Sequence, residues 1–96
     1  MKPLQTPKNS TAFALWLLLV SGIKGYTSYD AVSDEHFFKF STRVSDLIRD
    51  HNLAVHKKLE HGKNRFNHSY TNTRYCLYVN DKKKNIELYN KINVAK

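Results

Sequence analysis

The longest uninterrupted hydrophobic stretch lies near the start of the chain, where residues 12–20 are all apolar. A polar segment with two lysines precedes this stretch, and small residues follow it. The order of positive charge, apolar core and small residues is typical of a secretory signal peptide. We therefore predict that residues 1–22 form a signal peptide cleaved after Gly22, with residues 1–25 as the second choice, and that the mature protein is secreted.

The same stretch has two other interpretations. A helix that spans a membrane needs about 20 apolar residues, because the hydrocarbon layer is about 30 Å thick. Here Lys24 ends the apolar run sooner. The length therefore favours a signal peptide over a single-pass membrane anchor, and a helix buried in a protein core is the third alternative.

Apolar residues recur at helical spacing in the middle of the chain. Seven of them share one face: Phe37, Phe40, Val44, Leu47, Ile48, Val55 and Leu59. Ser33 is suited to cap the start of such a helix, and Gly62 is suited to end it. We predict one long amphipathic helix over residues 34–61. A break near Asn52 is the alternative, because helices of that length are unusual in a small domain.

The last third of the chain favours strands, since residues 75–79 are rich in aromatic and β-branched types. We predict strands over residues 66–70, 73–79 and 86–94, with a turn at the lysine run. The alternative is a second helix over residues 72–92.

These elements predict an α+β fold, in which a long amphipathic helix precedes a small antiparallel sheet or hairpin. An all-α helical hairpin is the alternative. We expect residues 23–33 to be a linker and residues 34–96 to form a single small domain, since so short a chain buries only one core.

The chain carries a formal net charge of +8, distributed unevenly. Residues 26–56 hold three Lys and Arg against five Asp and Glu, whereas residues 57–96 hold ten against three. A basic half favours an anionic partner. For an exported protein, this means a glycosaminoglycan, an acidic protein or a phospholipid headgroup, and nucleic acid is disfavoured. The predicted anion-binding patch consists of Lys57, Lys58, Lys63, Arg65, Lys82, Lys83 and Lys84.

Two single residues suggest covalent modification. Cys76 is the only cysteine, so no internal disulfide can form. In an exported chain an odd cysteine predicts either an intermolecular disulfide, here a dimer, or a buried thiol. Asn67 is followed by Ser69 at the spacing of an N-glycosylation acceptor, which predicts a glycan there.

The sequence predicts no metal site, no catalytic site and no cofactor. His51, His56 and His61 lie five residues apart, which places them about 140° apart around a helix. Helical metal ligands need a separation of three or four residues. The sequence also lacks a glycine-rich phosphate loop and a serine nucleophile elbow.

The pattern Arg-x-x-Leu-Tyr at residues 74–78, followed by Ile-Glu-Leu-Tyr-Asn at residues 86–90, resembles the second helix of the inhibitory pro-region of papain-like cysteine proteases. Residues 61–66 resemble the turn that joins the two helices of that family. One extra residue separates the two halves of the motif, and the family's early glutamate is absent. The resemblance implies a helix over residues 74–90 and inhibition of a cysteine protease.

The sequence as a whole predicts a small, basic, secreted, non-enzymatic protein that binds an anionic partner. The alternatives are a short single-pass membrane protein and a secreted cysteine-protease inhibitor of the pro-region type.

Overall fold

The computed structural model describes residues 4–63 and 65–94. Over these residues, four α-helices pack with a three-stranded antiparallel sheet. The helices are α1 (Ser10–Ser21), α2 (Ser28–Glu35), α3 (Phe40–His51) and α4 (Lys82–Ile92), and the strands are β1 (Tyr26–Thr27), β2 (Val55–Lys63) and β3 (Ser69–Leu77). The predicted α+β class is confirmed, and the all-α alternative is wrong.

Helix α1 begins where Asn9 caps it. The Asn9 side-chain oxygen accepts a hydrogen bond from the Ala12 backbone N–H at 2.8 Å, which satisfies one of the free donors of the first turn. The amide nitrogen of the same side chain donates to the carbonyls of Ile92 and Val94 at 2.9 and 3.0 Å. One side chain therefore starts α1 and ties it to the end of α4.

Helix α1 lies at the centre of the core, where it packs against α3, α4 and β3. Its buried residues are Ala12, Ala14, Leu15, Leu17 and Leu18. The segment predicted to be a signal peptide is thus a core helix in this structure, as in the third alternative. Cleavage after Gly22, which is exposed at the end of α1, stays a prediction. Within residues 4–63 and 65–94, no helix has the length and apolar character needed to cross a membrane.

A cluster of aromatic rings joins the sheet to the helices. Phe40 of α3 is fully buried, and its ring centre lies 5.3 Å from that of Tyr26 and 5.8 Å from that of Tyr75, in edge-on contacts. Phe37 contacts Phe40 and stacks on Phe13 of α1 at 5.0 Å. Such ring pairs are stabilised beyond the area they bury. Phe40 therefore fixes the position of α3 against β1 and β3.

The long helix predicted over residues 34–61 is wrong. His36 takes a left-handed backbone conformation with φ 52° and ends α2, and Asn52 does the same with φ 54° at the end of α3. The alternative break near Asn52 is confirmed. Val55 and Leu59 fit the helical spacing, but they lie on β2, because pairing with β3 outweighs local periodicity there.

The predicted helix ends also differ from the observed ones. Ser33 lies inside α2, and Gly62 lies inside β2. Helix α2 begins at a capping box, in which the Thr27 hydroxyl accepts from the Asp30 N–H at 3.0 Å and the Asp30 carboxylate accepts from the Thr27 N–H at 3.3 Å. Residues 23–33, expected to be a linker, therefore contain part of a 3-10 turn, β1 and most of α2.

In the last third of the chain, the strand prediction and the helix prediction are each right for one part. The strand predicted over residues 73–79 overlaps β3, which begins earlier, whereas the strand predicted over residues 66–70 contributes only its last two residues. The strand predicted over residues 86–94 is wrong, because α4 occupies most of that segment. The helix predicted over residues 72–92 is right only from the start of α4 onward.

Strands β2 and β3 form a long hairpin that extends away from the core. The strand order is β1-β3-β2, and β1 pairs with β3 only at Tyr75 and Arg74. We term residues 55–77 the hairpin arm. Its outer part, over residues 56–63 and 65–73, contains no buried residue. The described chain measures 44 × 29 × 26 Å along its principal axes.

Gly25 allows the chain to pass close to the middle strand of the sheet. Its backbone has φ 77°, in the left-handed region that favours glycine. A Cβ atom at this position would lie 2.8 Å from the Tyr75 carbonyl oxygen and even closer to the Cys76 sulfur. The turn after α1 can therefore approach β3 this closely only because residue 25 lacks a side chain.

We expect Leu15→Ala to destabilise the full-length chain by about 2–5 kcal/mol, because it opens a cavity in the centre of the core. The matched control is Val20→Ala on the same helix, where the side chain is 54% exposed and the expected change is below about 0.5 kcal/mol. Denaturant unfolding measures both variants. Equal free energies of unfolding would contradict the central position of α1.

We expect Gly25→Ala to cost about 2–5 kcal/mol, the sum of left-handed backbone strain and overpacking against β3. The control is Gly22→Ala, which has φ 58° but no atom within 4 Å of the new Cβ, so that only backbone strain applies. Thermal unfolding of the two variants compares them. A Gly25→Ala protein as stable as Gly22→Ala would show that the turn does not press on β3.

Candidate anion-binding surface

One side of the outer hairpin arm is basic. Side chains of a strand alternate between its two sides, and residues directly opposite each other on paired strands share a side. The side that includes the buried Tyr75 continues outward along the arm. We term this outer surface the arm face, which consists of Lys57, Leu59, His61 and Lys63 of β2 and Thr73, Thr71 and Ser69 of β3.

The arm face carries positive charge without a neutralising carboxylate. Lys57 and Lys63 lie on it, and Arg65 follows in the turn between the strands. None of these three forms an ion pair with a carboxylate of the described residues. The only acidic residue in the arm, Glu60, lies on the opposite side. The charge of the arm face is therefore open to an external anion.

Arg74 holds the base of the arm and has its charge neutralised. Its Nε donates to the Glu60 carboxylate at 3.0 Å, its Nη1 lies 3.9 Å from the Asp30 carboxylate, and it also donates to the Lys24 carbonyl at 3.3 Å. The hydrogen bond from Arg74 lowers the pKa of Glu60 below its usual value. Arg74 thus links β2, β3, α2 and the turn after α1, and its charge is already satisfied.

Helix α2 has an acidic side that lies near Arg74 and β1. Burial raises the pKa of the Tyr26 hydroxyl to about 12, with smaller contributions from the carboxylates of Asp34, Glu35 and Asp30. These carboxylates form a negative surface close to β1. The molecule therefore separates its charges, with carboxylates on α2 and cations on the outer arm.

Exposed apolar side chains accompany the cations of the arm. Leu59 is 63% exposed on the arm face, and Phe66 is 66% exposed in the turn. The Arg65 guanidinium lies 4.9 Å from the centre of the Phe66 ring, a cation–π distance. On the opposite side, the Tyr70 ring covers Gly62, its cross-strand partner. The arm thus presents charge and apolar area together.

The structure does not place the seven predicted patch residues on one surface. Lys57, Lys63 and Arg65 belong to the arm face and its adjoining turn. Lys58 points to the opposite side of β2. The remaining three, Lys82, Lys83 and Lys84, form the first turn of α4. The predicted patch is therefore divided between the hairpin arm and the first turn of α4, with Lys58 on the reverse side of β2.

The first turn of α4 concentrates positive charge at an unfavourable place. The N-terminal end of a helix is positive because of its aligned peptide dipoles, so cations there are destabilising. Three lysines occupy this turn, and the Asp81 side chain makes no capping hydrogen bond to it. This end of α4 therefore favours the approach of an anion.

Cys76 lies on the middle strand of the sheet and is half-buried. Its sulfur is 3.9 Å from the Ile23 carbonyl oxygen and lies close beneath Gly25. The turn after α1 thus partly covers the sulfur. The disulfide-linked dimer through Cys76 stays a prediction.

The predicted glycosylation site is accessible. Asn67 lies in the turn of the arm, is exposed, and has a left-handed backbone with φ 65°, which asparagine tolerates better than most residues. A glycan there would stand beside the outer end of the arm face. Glycosylation of Asn67 stays a prediction.

The histidines lie apart from one another. His51 is in the last turn of α3, whereas His56 and His61 lie on opposite sides of β2. The His56 ring contacts Tyr78 at 6.3 Å. Within the described ranges, no group of three His, Cys, Asp or Glu side chains is arranged to hold a metal ion.

The helix implied by the resemblance to cysteine-protease pro-regions is not present in full. Residues 74–77 belong to β3, and only the later half of the motif, residues 86–90, lies on α4. Residues 61–63 lie on β2, so they do not join two helices. The implied helix over residues 74–90 is wrong, and the inhibitor alternative loses its structural basis.

Sequence reasoning missed two residues of interest. The helical spacing predicts that Leu59 is on a buried helix face, whereas its odd position on β2, with Lys57, His61 and Lys63, places it on the exposed arm face. Asn85 is only 3% exposed, and its side-chain nitrogen has no hydrogen-bond partner among the described residues. Such an unpaired buried donor costs about 1–3 kcal/mol. The only signal in the sequence is spacing, since Asn85 lies three and four residues before Leu88 and Tyr89, on the apolar side of a helix over this segment.

In comparisons with known proteins, the chain matches no family model, no curated protein sequence and no solved structure. Function is therefore inferred from the chain's own geometry.

Proposed function

We propose that this chain is a small, basic, non-enzymatic binding protein that docks on an anionic surface through the arm face. The observation that carries the proposal is the group Lys57, Lys63 and Arg65, which extends beyond the core without a neutralising carboxylate. A basic surface of this kind attracts anions over about 10 Å at moderate salt. The partner is a sulfated glycosaminoglycan, a phospholipid headgroup layer or an acidic protein surface.

The position of the cations on an edge strand has a second effect. Strand β2 lies at the edge of the sheet, where unpaired backbone groups favour pairing with other chains. Lysines along such an edge oppose that pairing because like charges repel. This effect explains cations anywhere on β2, but it does not explain Arg65, or why Glu60 lies on the side away from Lys57 and Lys63. The distribution of charge between the two sides supports a binding surface.

Among the partners, an anionic membrane surface uses more of the arm than a glycan does. Leu59 and Phe66 are exposed beside the cations, and apolar side chains gain free energy when they enter the headgroup region. A sulfated glycan would contact the cations and leave these side chains in water. The two partners can be distinguished by the effect of removing apolar area alone.

We expect Lys57→Gln/Lys63→Gln to weaken binding to phosphatidylserine-containing vesicles by about 30-fold at low salt. Each lysine near such a surface contributes about 1 kcal/mol. The matched control is Lys39→Gln/Lys91→Gln, which removes the same net charge from exposed positions outside the arm. Vesicle co-sedimentation measures the affinities, and heparin chromatography provides the parallel comparison for glycans.

An equal loss in both double variants would mean that net charge alone drives binding, and would remove the arm face as the site. Release of the wild-type protein from vesicles and heparin well below physiological salt would remove the proposal itself. If the partner is a membrane, we expect Leu59→Ser to weaken vesicle binding and to leave heparin retention unchanged. Leu59→Ser binding to both vesicles and heparin as tightly as the wild type would assign the surface to glycans.

The compartment depends on the fate of α1. Export with cleavage after Gly22 stays a prediction from the sequence, and it removes every buried residue of α1 from the core. The fold that carries the arm face therefore requires that these residues be retained. The Asn67 acceptor is exposed in either case.

We expect the protein purified from its native source to retain Trp16, the only tryptophan, and to show tryptophan fluorescence. N-terminal sequencing gives the same information directly. A native product that begins at Ile23 would confirm the signal peptide, and it would show that the mature protein does not adopt the fold described above.

A further inference from the structure

A cavity lies between the end of α1 and the start of α4. Its volume is about 200 Å³ and it opens to solvent on one side. Most of its lining is apolar, contributed by Leu18, Leu19, Ile23, Leu77, Tyr78 and Val79. An apolar cavity of about 150 Å³ is large enough to hold benzene. This cavity therefore accommodates a short apolar chain or a single ring.

Two polar side chains also line the cavity, the buried amide of Asn85 and the exposed Lys82. Asn85 is 97% buried, since only 3% of it is exposed, and its Nδ2 has no hydrogen-bond partner among the described residues. Lys82 contributes an ammonium group and forms no ion pair with a described carboxylate. A buried donor of this kind is stabilised when a ligand supplies an acceptor.

The charge around the cavity favours an anion over a neutral acceptor. The cavity opens beside the first turn of α4, where the helix dipole and the consecutive lysines add positive potential. Asn85 also lines a second cavity. The charged side chains there are two carboxylates and two lysines, Asp81, Glu87, Lys84 and Lys91, which offset one another. The described residues that line the first cavity include Lys82 but no carboxylate. The acceptor and the negative charge are best supplied in the first cavity by one carboxylate.

We propose that this cavity binds a small monocarboxylate with an apolar tail, such as a short fatty acid. The tail lies among Leu18, Leu19 and Leu77, and the carboxylate accepts hydrogen bonds from Asn85 Nδ2 and the Lys82 ammonium group. The site is separate from the arm face and does not depend on binding there. Because Leu18 and Leu19 belong to α1, the site exists only in a chain that retains this helix.

Isothermal titration of the full-length protein with sodium octanoate tests the proposal. We expect saturable one-to-one binding by octanoate, and binding at least tenfold weaker by 1-octanol, which has the tail without the charge. Acetate, which has the charge without the tail, is also expected to bind at least tenfold more weakly. No saturable binding of octanoate, or equal affinity for octanoate and octanol, would overturn the proposal.

Substitutions assign the two donors. Asn85→Leu keeps the approximate shape of the side chain and removes the donor, so we expect at least tenfold weaker octanoate binding together with unchanged or higher thermal stability. Lys82→Gln is expected to weaken binding about fivefold, as for a partly exposed ion pair. The matched control, Lys83→Gln, removes the same charge from a neighbouring residue that does not line this cavity, and is expected to weaken binding by less than about twofold, through the weaker local potential alone.

Retained octanoate affinity in a folded Asn85→Leu variant would overturn the assignment, as would equal losses in Lys82→Gln and Lys83→Gln. The arm variant Lys57→Gln/Lys63→Gln is expected to bind octanoate as the wild type does. In this variant, a loss of vesicle binding tests the arm face, and octanoate binding tests the cavity. The two proposals can therefore be rejected independently.

Discussion

The burial of α1 is the interaction on which the rest of the fold depends. Helices α3 and α4 pack mainly against α1, and β3 contacts it from the sheet. The polar segment before α1 is also fixed, because the Lys8 N–H donates to the Asn93 side chain at 2.7 Å and the Tyr89 hydroxyl donates to the Gln5 carbonyl. Outside α1, few large side chains are fully buried, with Phe40, Leu47 and Tyr89 foremost among them. A domain this small has little else to stabilise it.

The parts of the fold that follow from local chemistry could be predicted from the sequence. The spacing of Phe40, Val44 and Leu47 gives α3, and the aromatic and β-branched residues before position 80 give β3. Val55 and Leu59 could not be assigned to a helix or to a strand from the sequence. Two apolar residues four positions apart lie on the same side of either element. The fate of α1 could not be predicted either, since a short apolar helix suits an export signal and a protein core equally well.

For the candidate surface, the sequence shows which charged residues are present but not how they are arranged. The sequence identifies the cations, and alternation along a strand places Lys57 and Lys63 on one side of it. Whether that side is also the side of Tyr75 depends on the register of β2 against β3, and a shift of one residue would put Lys58 there instead. The pair Glu60 and Arg74 is separated by 14 positions, so its neutralising effect is visible only in the fold. Asn85 is recognisable only once its burial and its missing acceptor are known.

The hydrogen bonds between the two ends of the chain have a consequence for protein synthesis. Asn9 donates to the Ile92 carbonyl, 83 positions further along. Ribosomes add about 5–20 residues per second, so about 4–17 s pass between the synthesis of Asn9 and that of Ile92, at the end of α4. During that interval, any cellular factor that captures apolar segments competes with folding for the same helix.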